Sequence, residues 1–215
     1  MKTVDSEQAD FINSLERHAL SFQITLTADA LEKLSNYYQL LGGWNQRLHL
    51  VAPCSPGEFA TRHVLESLLM LRYLPQDAAV ADIGSGAGLP IVPCLFLRPD
   101  LRATLIESSK KKAIFLREVL RHTDTVERAK IIPERFESVV APKVNFVSCR
   151  ALDRFEEMLP QLINWSPRPS TLLLFGGAAL CSRVEKHDLP YTALQIPLSE
   201  KRWLLKIELQ VSDLL

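Results

Sequence analysis

Residues 79–90 contain residue types at a spacing that would hold a nucleoside-like ligand directly on the backbone. Gly84, Gly86 and Gly88 are three of the eight glycines of the chain, and glycine permits positive φ and close approach of a ligand to the main chain. The dinucleotide fingerprint requires glycine at its first, third and sixth positions. The sixth position counted from Gly84 is Leu89, so that pattern fails, and an acid, Asp82, instead precedes glycines at every second position.

This Asp-x-Gly-x-Gly-x-Gly pattern resembles motif I of the Rossmann-like S-adenosylmethionine methyltransferases. The apolar run 79–83 before it predicts a buried strand, and Pro90 after it suits the first turn of a helix, whose N-terminus would carry partial positive charge. We expect the cofactor to contact Asp82, Gly84, Gly86, Gly88 and Leu89. A site for NAD or a flavin and a turn with chance glycines are the alternative interpretations.

Further candidate residues follow the next predicted strands, where ligands bind in parallel sheets. Glu107, about twenty residues after the first glycine, suits acceptance of hydrogen bonds from two ribose hydroxyls, the alternative being a solvated acid. Phe136 is expected to pack on adenine, with Glu137 beside it, unless it is a core phenylalanine. Arg150 ends an apolar run and needs a partner, so we expect it to bind the cofactor carboxylate or a substrate phosphate.

The elements that must position these residues alternate between strand and helix from residue 75 onward, which predicts an α/β fold with a parallel sheet covered on both faces. Strands are predicted at 79–83, 103–107, 129–132, 144–149 and 171–175, followed by an antiparallel pair at 194–198 and 203–209. Helices are predicted at 90–97, 109–121 and 153–164. The sheet is therefore expected to be mostly parallel and seven-stranded.

Residues 1–74 carry helical patterns and are expected to form an extension packed on a cofactor-binding domain, residues 75–215. Helices are predicted at 5–19, at 28–41 with Thr27 as N-cap, and from a capping box at Ser55 to about Tyr73. Gly42-Gly43 is expected to stop the second of these helices.

Composition indicates an ordinary globular protein. The 215 residues are 47% hydrophobic and 23% charged, with a formal net charge of zero, so a strongly basic coat for nucleic acid is absent, although a local basic stripe would suffice for RNA. The N-terminus lacks the apolar segment of a signal peptide, and no run approaches a membrane span. The four cysteines are far apart and favour reduced thiols. We expect a cytoplasmic monomer with no metal and no membrane contact.

From about residue 44 to residue 209 the chain resembles the bacterial glucose-inhibited division protein B family. The matching stretches are Trp44-Asn45, Arg62-His63-x-x-Glu66-Ser67, Asp82 to Pro90, Leu105-Ile106-Glu107-Ser108, Arg135-Phe136-Glu137, Cys149-Arg150-Ala151 and Arg202-Trp203-Leu204. Members of this family methylate N7 of guanine in 16S ribosomal RNA. The resemblance implies a Rossmann-like class I methyltransferase fold, S-adenosyl-L-methionine as cofactor, and 16S ribosomal RNA or the small ribosomal subunit as partner.

The resemblance also implies roles for single residues. It places Glu107 at the ribose, Phe136 and Glu137 at the adenine, and Arg150 near cofactor and substrate. The implied catalytic candidates are Arg150, His63 and Asn45, the last two at or near the pocket mouth. The implied substrate-binding candidates are Arg62, His63 and Arg202.

The chain departs from the family pattern at four places. Glu66 stands for the usual aspartate, Cys149 for serine and Ile91 for glycine. The fifth strand ends in Leu174-Phe175-Gly176 rather than Leu-Lys-Gly, so a lysine is missing. Arg183 and Arg202 are candidate replacements for that lysine.

The implied reaction needs no general base, because guanine N7 is a lone-pair acceptor without a proton at neutral pH. Catalysis would then depend on in-line alignment of the reacting atoms, with the base exposed outside a duplex. Two other functions remain open: a methyltransferase of the same fold acting on a small molecule or a protein, and a cofactor-binding partner of RNA or the ribosome with weakened catalysis.

Overall fold

The computed structural model describes residues 4–150 and 155–211, and these contain seven strands in one sheet. The strands are β1 (Ala79–Ile83), β2 (Arg102–Ile106), β3 (Ala129–Ile132), β4 (Phe146–Arg150), β5 (Ser170–Gly176), β6 (Tyr191–Gln195) and β7 (Trp203–Leu209). Their order is β3-β2-β1-β4-β5-β7-β6. Strands β1 to β5 are parallel, and β7 is antiparallel to both β5 and β6. The predicted mostly parallel sheet is confirmed, and its order reverses at β1, where a ligand crevice is expected.

Helices cover both faces of this sheet. They are α1 (Val4–Ala19), α2 (Ala28–Leu48), α3 (residues 56–73), α4 (Ile91–Leu97), α5 (Lys110–His122), α6 (Phe155–Trp165) and α7 (Ala178–Glu185). Successive strand side chains point to opposite faces, so Val80 packs in the core formed with α1 to α5, whereas Ala81 packs in the core formed with α6 and α7. Among the described helices, none combines the length and apolar character needed to cross a membrane.

Helix α2 is longer than its sequence predicts. Thr27 caps it as expected, accepting a hydrogen bond from the amide of Ala30 at 3.2 Å. The predicted stop at Gly42-Gly43 is wrong, because the helix continues through both glycines and ends at Leu48. The continuation places Trp44 against Phe115 of α5, with ring centroids 6.0 Å apart, and this packing offsets the intrinsic cost of glycine in a helix.

Helix α3 changes its winding along its length. Ser55 caps it by accepting a hydrogen bond from the Glu58 amide at 3.1 Å. Residues Phe59–Leu65 form a π-helical segment, and Leu69–Tyr73 form a 3₁₀ turn. The sequence predicts the extent of this helix but not the π-helical segment, a rare form that recurs at functional sites.

Two elements near the C-terminus differ from the prediction. The sequence predicts no helix between β5 and β6, but α7 forms there, with Leu180 and Val184 buried. Strand β6 begins at Tyr191 rather than at residue 194. It also ends at Gln195 rather than at residue 198. Apart from β6 and the end of α2, the described boundaries agree within two residues, which is the ordinary spread of helix and strand assignment; the predicted start of α6 at residue 153 lies outside the described residues.

The first three helices share one hydrophobic core with the sheet. Phe11, Leu34 and Phe59 belong to the same buried cluster as Val80 of β1 and Phe115 of α5. Helices α1 to α3 thus pack on the sheet through this shared core, while the extension at residues 1–74 and the division of the chain near residue 74 stay predictions.

Replacing Gly42 or Gly43 with alanine is expected to stabilise the protein by roughly 0.5–1 kcal/mol each, because glycine inside a helix costs about that much relative to alanine. An added Cβ meets no atom within 4 Å at either position. Urea unfolding followed by circular dichroism measures the change. Gly88→Ala is the control of opposite sign, since φ there is +87° and the added Cβ would lie 2.7 Å from Val92 Cγ2. Destabilisation by either helix substitution would mean that the helix ends at these glycines.

Candidate active site

A cavity of about 530 Å³ lies at the carboxyl ends of β1, β2 and β4. Its walls are formed by residues 50–52, His63, residues 84–87 with Leu89, residues 107–109, Lys112 and Arg150. A larger groove of about 690 Å³ lies between α2 and the end of α5, and none of the predicted site residues lines it. The cavity at the strand ends is therefore the candidate active site.

The glycine loop forms the floor of this cavity. Gly84, Gly86 and Gly88 have φ values of +68°, +50° and +87°, a region that residues with a Cβ rarely adopt. The Gly84 amide donates to the Ile106 carbonyl at 2.8 Å, which ties the loop to the end of β2. The Tyr37 hydroxyl of α2 donates to the Ala87 carbonyl at 2.8 Å. The loop is thus held from both sides, and Gly88 packs against α4 instead of lining the cavity.

Glu107 is fixed beside the loop. It is only 6% exposed, and its two carboxylate oxygens accept hydrogen bonds from the amides of Gly86 at 2.8 Å and Ser109 at 2.7 Å. Because each carboxylate oxygen has two lone pairs, one on each oxygen stays available to the cavity. This arrangement can accept hydrogen bonds from two neighbouring hydroxyl groups.

Asp82 lies beneath the loop and does not line the cavity. Its Oδ1 accepts a hydrogen bond from the Ser148 hydroxyl at 2.6 Å, because the two residues are register partners on β1 and β4. Its Oδ2 is buried without a hydrogen-bond partner in the described structure. Burial raises the pKa of Asp82 from 3.8 to about 7, although hydrogen bonds from Ser148 and Ser85 oppose the shift.

Arg150 at the end of β4 reaches across to α3. Side chains alternate along the strand, so Arg150 projects to the same face as Ser148. Its Nη2 donates to the Arg62 carbonyl at 2.6 Å, and its Nη1 donates to the His63 carbonyl at 3.2 Å and to Ser67 Oγ at 3.2 Å. The guanidinium lines the cavity, but its donors are largely directed at the π-helical segment of α3.

The missing lysine of the fifth strand corresponds to Phe175. Phe175 is the register partner of Arg150, and the guanidinium carbon lies 5.9 Å from the centre of its ring. An aromatic face attracts a cation at this distance, whereas a lysine at this position would place a second positive charge beside Arg150. The substitution therefore fits a guanidinium that is largely withdrawn from solvent, since the Arg150 side chain is 13% exposed.

Glu66 connects Arg150 to the C-terminal hairpin. It is 2% exposed, its Oε2 accepts a hydrogen bond from Arg202, and its Oε1 lies 3.7 Å from Arg150 Nη2. Arg202 immediately precedes Trp203, the register partner of Gly176 at the end of β5. Burial raises the pKa of Glu66, and the nearby arginines oppose this rise. The sequence marks Glu66 only as part of a motif and does not reveal this bridge.

Five other predicted residues lie outside the cavity walls, and Arg202 is one of them. Asn45 exchanges two hydrogen bonds with the backbone of Val51, at 2.9 and 3.0 Å, and so holds the segment 50–52 that does line the cavity. Phe136 is buried against Trp165 of α6. Glu137 is paired with Arg135 on the surface, and Arg62 is paired with Glu58. The structure brings Phe136 to the core, which is the alternative that the sequence left open.

Two groups of cavity residues are not among the predicted site residues. Ser109 caps α5 by accepting a hydrogen bond from the Lys112 amide at 3.4 Å, and both residues line the cavity; the strand-to-helix junction after Glu107 was the available signal. The segment 50–52 carries no motif, and only the fold brings it to the cavity.

Asp82→Asn is expected to alter the pH dependence of stability. Because the folded pKa of Asp82 lies above that of the unfolded chain, its contribution to stability is full below the unfolded value and is lost as pH rises through the folded value of about 7. Relative to the unchanged protein, the variant should gain roughly 2–3 kcal/mol between pH 5 and pH 8. Urea unfolding at the two pH values measures this difference.

Asp100→Asn is the matched control for Asp82→Asn. A hydrogen bond from Arg98 holds the pKa of Asp100 below its ordinary value, so its contribution is lost only at more acidic pH and should not change between pH 5 and pH 8. An equal difference at both pH values for Asp82→Asn would contradict the raised pKa.

Comparison with known proteins places this chain in a family. The family model described as rRNA small subunit methyltransferase G matches residues 30–201. Ribosomal RNA small subunit methyltransferase G of Xanthomonas campestris (strain B100) is 42% identical over 130 residues, 60% of each chain, so this match spans about three fifths of the relative. The protein of the same name from Desulfotalea psychrophila is 35% identical over 173 residues, 78% of this chain and 79% of the relative.

Solved structures agree in fold at low sequence identity. A SAM-dependent methyltransferase from Aquifex aeolicus has a TM-score of 0.57 at 11% identity, covering 70% of this chain and 92% of that one. An RNA methyltransferase from Salinibacter ruber in complex with S-adenosyl-L-homocysteine has a TM-score of 0.53 at 12% identity, covering 67% and 88%. These likenesses extend to the Rossmann-like architecture, and the family match over residues 30–201 shows that the chain belongs to the GidB family of small-subunit rRNA methyltransferases.

Proposed function

We propose that this protein is an S-adenosyl-L-methionine-dependent methyltransferase that methylates N7 of a guanine in 16S ribosomal RNA. The observation that carries the proposal is the cavity at the switch point of the sheet, where the glycine loop meets the buried carboxylate of Glu107, in a chain of the GidB family. Relatives in this family are named as ribosomal RNA small subunit methyltransferases.

The cavity residues fit the proposed cofactor. A volume of about 530 Å³ is within the range of small-molecule sites, and Gly86 leaves the backbone open next to Glu107. S-adenosyl-L-methionine supplies a methyl group activated on a sulfonium when it is bound. Glu107 would hold the ribose hydroxyls, and Gly84, Gly86 and Leu89 would lie against the cofactor, while Asp82 and Gly88 fix the loop from behind.

A basic rim beside the cavity supports RNA over a small substrate. Lys110, Lys111 and Lys112 occupy the first turn of α5, and Lys112 lines the cavity. Cations at a helix N-terminus oppose the helix dipole, at a cost of about 0.3–1 kcal/mol each. Three lysines at this position are therefore unfavourable for the helix alone, and attraction of RNA phosphates explains them.

The proposed reaction requires the protein to align the reacting atoms and does not require a general base. Guanine N7 presents a lone pair on the edge of the base, so no side chain needs to remove a proton. Arg150 and His63 would form the substrate side of the cavity. Their task would be to orient the exposed base, which can supply several kcal/mol of the rate enhancement. The proposed partner, the small ribosomal subunit or its RNA, implies action in the cytoplasm, and we propose that the protein acts as a monomer.

Glu107→Gln is expected to weaken S-adenosyl-L-homocysteine binding by roughly 10- to 100-fold, because hydrogen bonds to a charged acceptor contribute about 1.5–3 kcal/mol. The amide nitrogen of glutamine would also face an N–H donor, either that of Gly86 or that of Ser109. Isothermal titration calorimetry measures the affinity. Glu137→Gln is the matched control. Because Glu137 pairs with Arg135 away from the cavity walls, the affinity of this variant for S-adenosyl-L-homocysteine should stay within twofold of the wild-type value. Equal affinity in both variants would exclude Glu107 from the cofactor site.

Methyl transfer from labelled S-adenosyl-L-methionine tests the substrate. We expect label in deproteinised 16S ribosomal RNA or in small subunits, as 7-methylguanosine. Label only in a metabolite panel would instead indicate a small-molecule methyltransferase, and cofactor binding without transfer would indicate a partner of the ribosome. Failure to bind either form of the cofactor would overturn the proposal.

The double variant Lys110→Ala, Lys111→Ala is expected to lower RNA affinity several-fold and to reduce the slope of log affinity against log salt by up to about two. Binding of S-adenosyl-L-homocysteine should be unchanged. Lys130→Ala, which removes an exposed charge from β3, is the control and should change neither. An unchanged salt slope in the double variant would remove the lysines from the RNA interface.

A further inference from the structure

The imidazole of His63 is held in one protonation form by its neighbour. Arg150 Nη2 lies 3.3 Å from His63 Nδ1. Arginine has only N–H donors and no acceptor, so a hydrogen bond between these atoms requires a lone pair on Nδ1. Such a bond requires a neutral ring whose single proton is on Nε2.

The charges around His63 favour the same form. Its neighbours include Arg150 on β4, Arg62 on its own helix and Arg202 before β7, and burial together with these three cations lowers the pKa of His63 from 6.5 to about 3. Glu66, the nearby carboxylate, is already shared between Arg150 and Arg202. Among the described residues, the imidazole thus has no anionic partner of its own to favour its charged form.

The second ring nitrogen is left for a ligand. His63 lines the cavity, and its ring packs on Phe59 at a centroid distance of 5.2 Å. In the described part of the chain, Nε2 has no hydrogen-bond partner, although Nδ1 is engaged by Arg150. A neutral ring with an engaged Nδ1 presents one N–H donor and no free acceptor.

We propose that His63 selects guanine by donating a hydrogen bond from Nε2–H to O6 of the base. This inference rests on the proposed function. The O6 atom is an acceptor next to N7 on the same edge of guanine, whereas adenine carries an amino donor at the corresponding position. A fixed donor therefore binds guanine with N7 exposed for methyl transfer and opposes adenine by placing two N–H groups against each other. Arg150 acts as the positioning residue that keeps the donor on Nε2.

Nitrogen-15 NMR of histidine in the full chain tests the protonation form without any substrate. Long-range proton–nitrogen correlation spectra distinguish the two neutral tautomers and the charged ring, and the His63→Gln variant assigns the signal. We expect the neutral Nε2–H tautomer from pH 5 to pH 8. A charged ring or an Nδ1–H tautomer in that range would overturn the inference, whatever the activity of the protein.

Two variants test the donor in methyl transfer to 16S ribosomal RNA. His63→Leu, which cannot donate, should lower kcat/KM by about 10- to 100-fold, the loss expected when a buried acceptor such as O6 is left without its donor. His63→Gln retains an N–H donor and should recover most of the activity. Affinity for S-adenosyl-L-homocysteine should be unchanged in both, which also shows that they are folded. Nucleoside mass spectrometry should find a higher ratio of methyladenine to 7-methylguanine with His63→Leu.

The outcomes separate this inference from the function on which it rests. If His63→Leu keeps the activity and the base selectivity of the wild-type protein, and the wild-type protein methylates RNA, the role of His63 alone is overturned. Absence of methyl transfer to RNA by the unchanged protein would overturn both the proposed function and the O6 contact.

Discussion

The structure depends most on how the charge of Arg150 is accommodated. Burial lowers the pKa of this guanidinium, and Glu66 opposes the shift. An isolated buried charge is very costly, and burial is tolerated only where hydrogen bonds and an opposite charge replace water. Arg150 receives them from the carbonyls of Arg62 and His63 and from the carboxylate of Glu66. One side chain thereby joins β4, α3 and, through Glu66 and Arg202, the C-terminal hairpin.

The contacts of Arg150 also explain the π-helical segment of α3. In an ordinary α-helix each interior carbonyl accepts a hydrogen bond from the amide four residues later. The π-helical winding at Phe59–Leu65 alters that ladder where Arg150 arrives, so that the carbonyls of Arg62 and His63 accept bonds from the guanidinium. The rare winding and the buried arginine therefore account for each other, and both lie at the cavity wall.

The two halves of the site differ in how far the sequence reveals them. The proposed cofactor side comes from short contiguous stretches, so glycine spacing and the acid after β2 predicted the loop, Glu107 and their meeting at the strand ends. The proposed substrate side is assembled by contacts between distant residues, such as Glu66 with Arg202, which are 136 positions apart. No local pattern encodes those pairs. Tertiary packing also decided the misassigned elements, since Trp44 on Phe115 carries α2 past Gly42 and Gly43, and Leu180 buries one side of the short α7.

Charge placement, rather than net charge, decides what can approach the cavity. The chain has a formal net charge of zero, which by itself argues against a polyanionic partner. Arg150, whose side chain is largely but not fully buried at the site, already bonds to carbonyls and pairs with Glu66, so it is poorly available to attract phosphate over a distance. The three lysines at the start of α5, of which Lys112 lines the cavity, are free of that commitment. In the proposed RNA complex, the lysines at the start of α5 would supply salt-sensitive attraction. Arg150 would instead set the shape and the hydrogen-bonding character of the cavity.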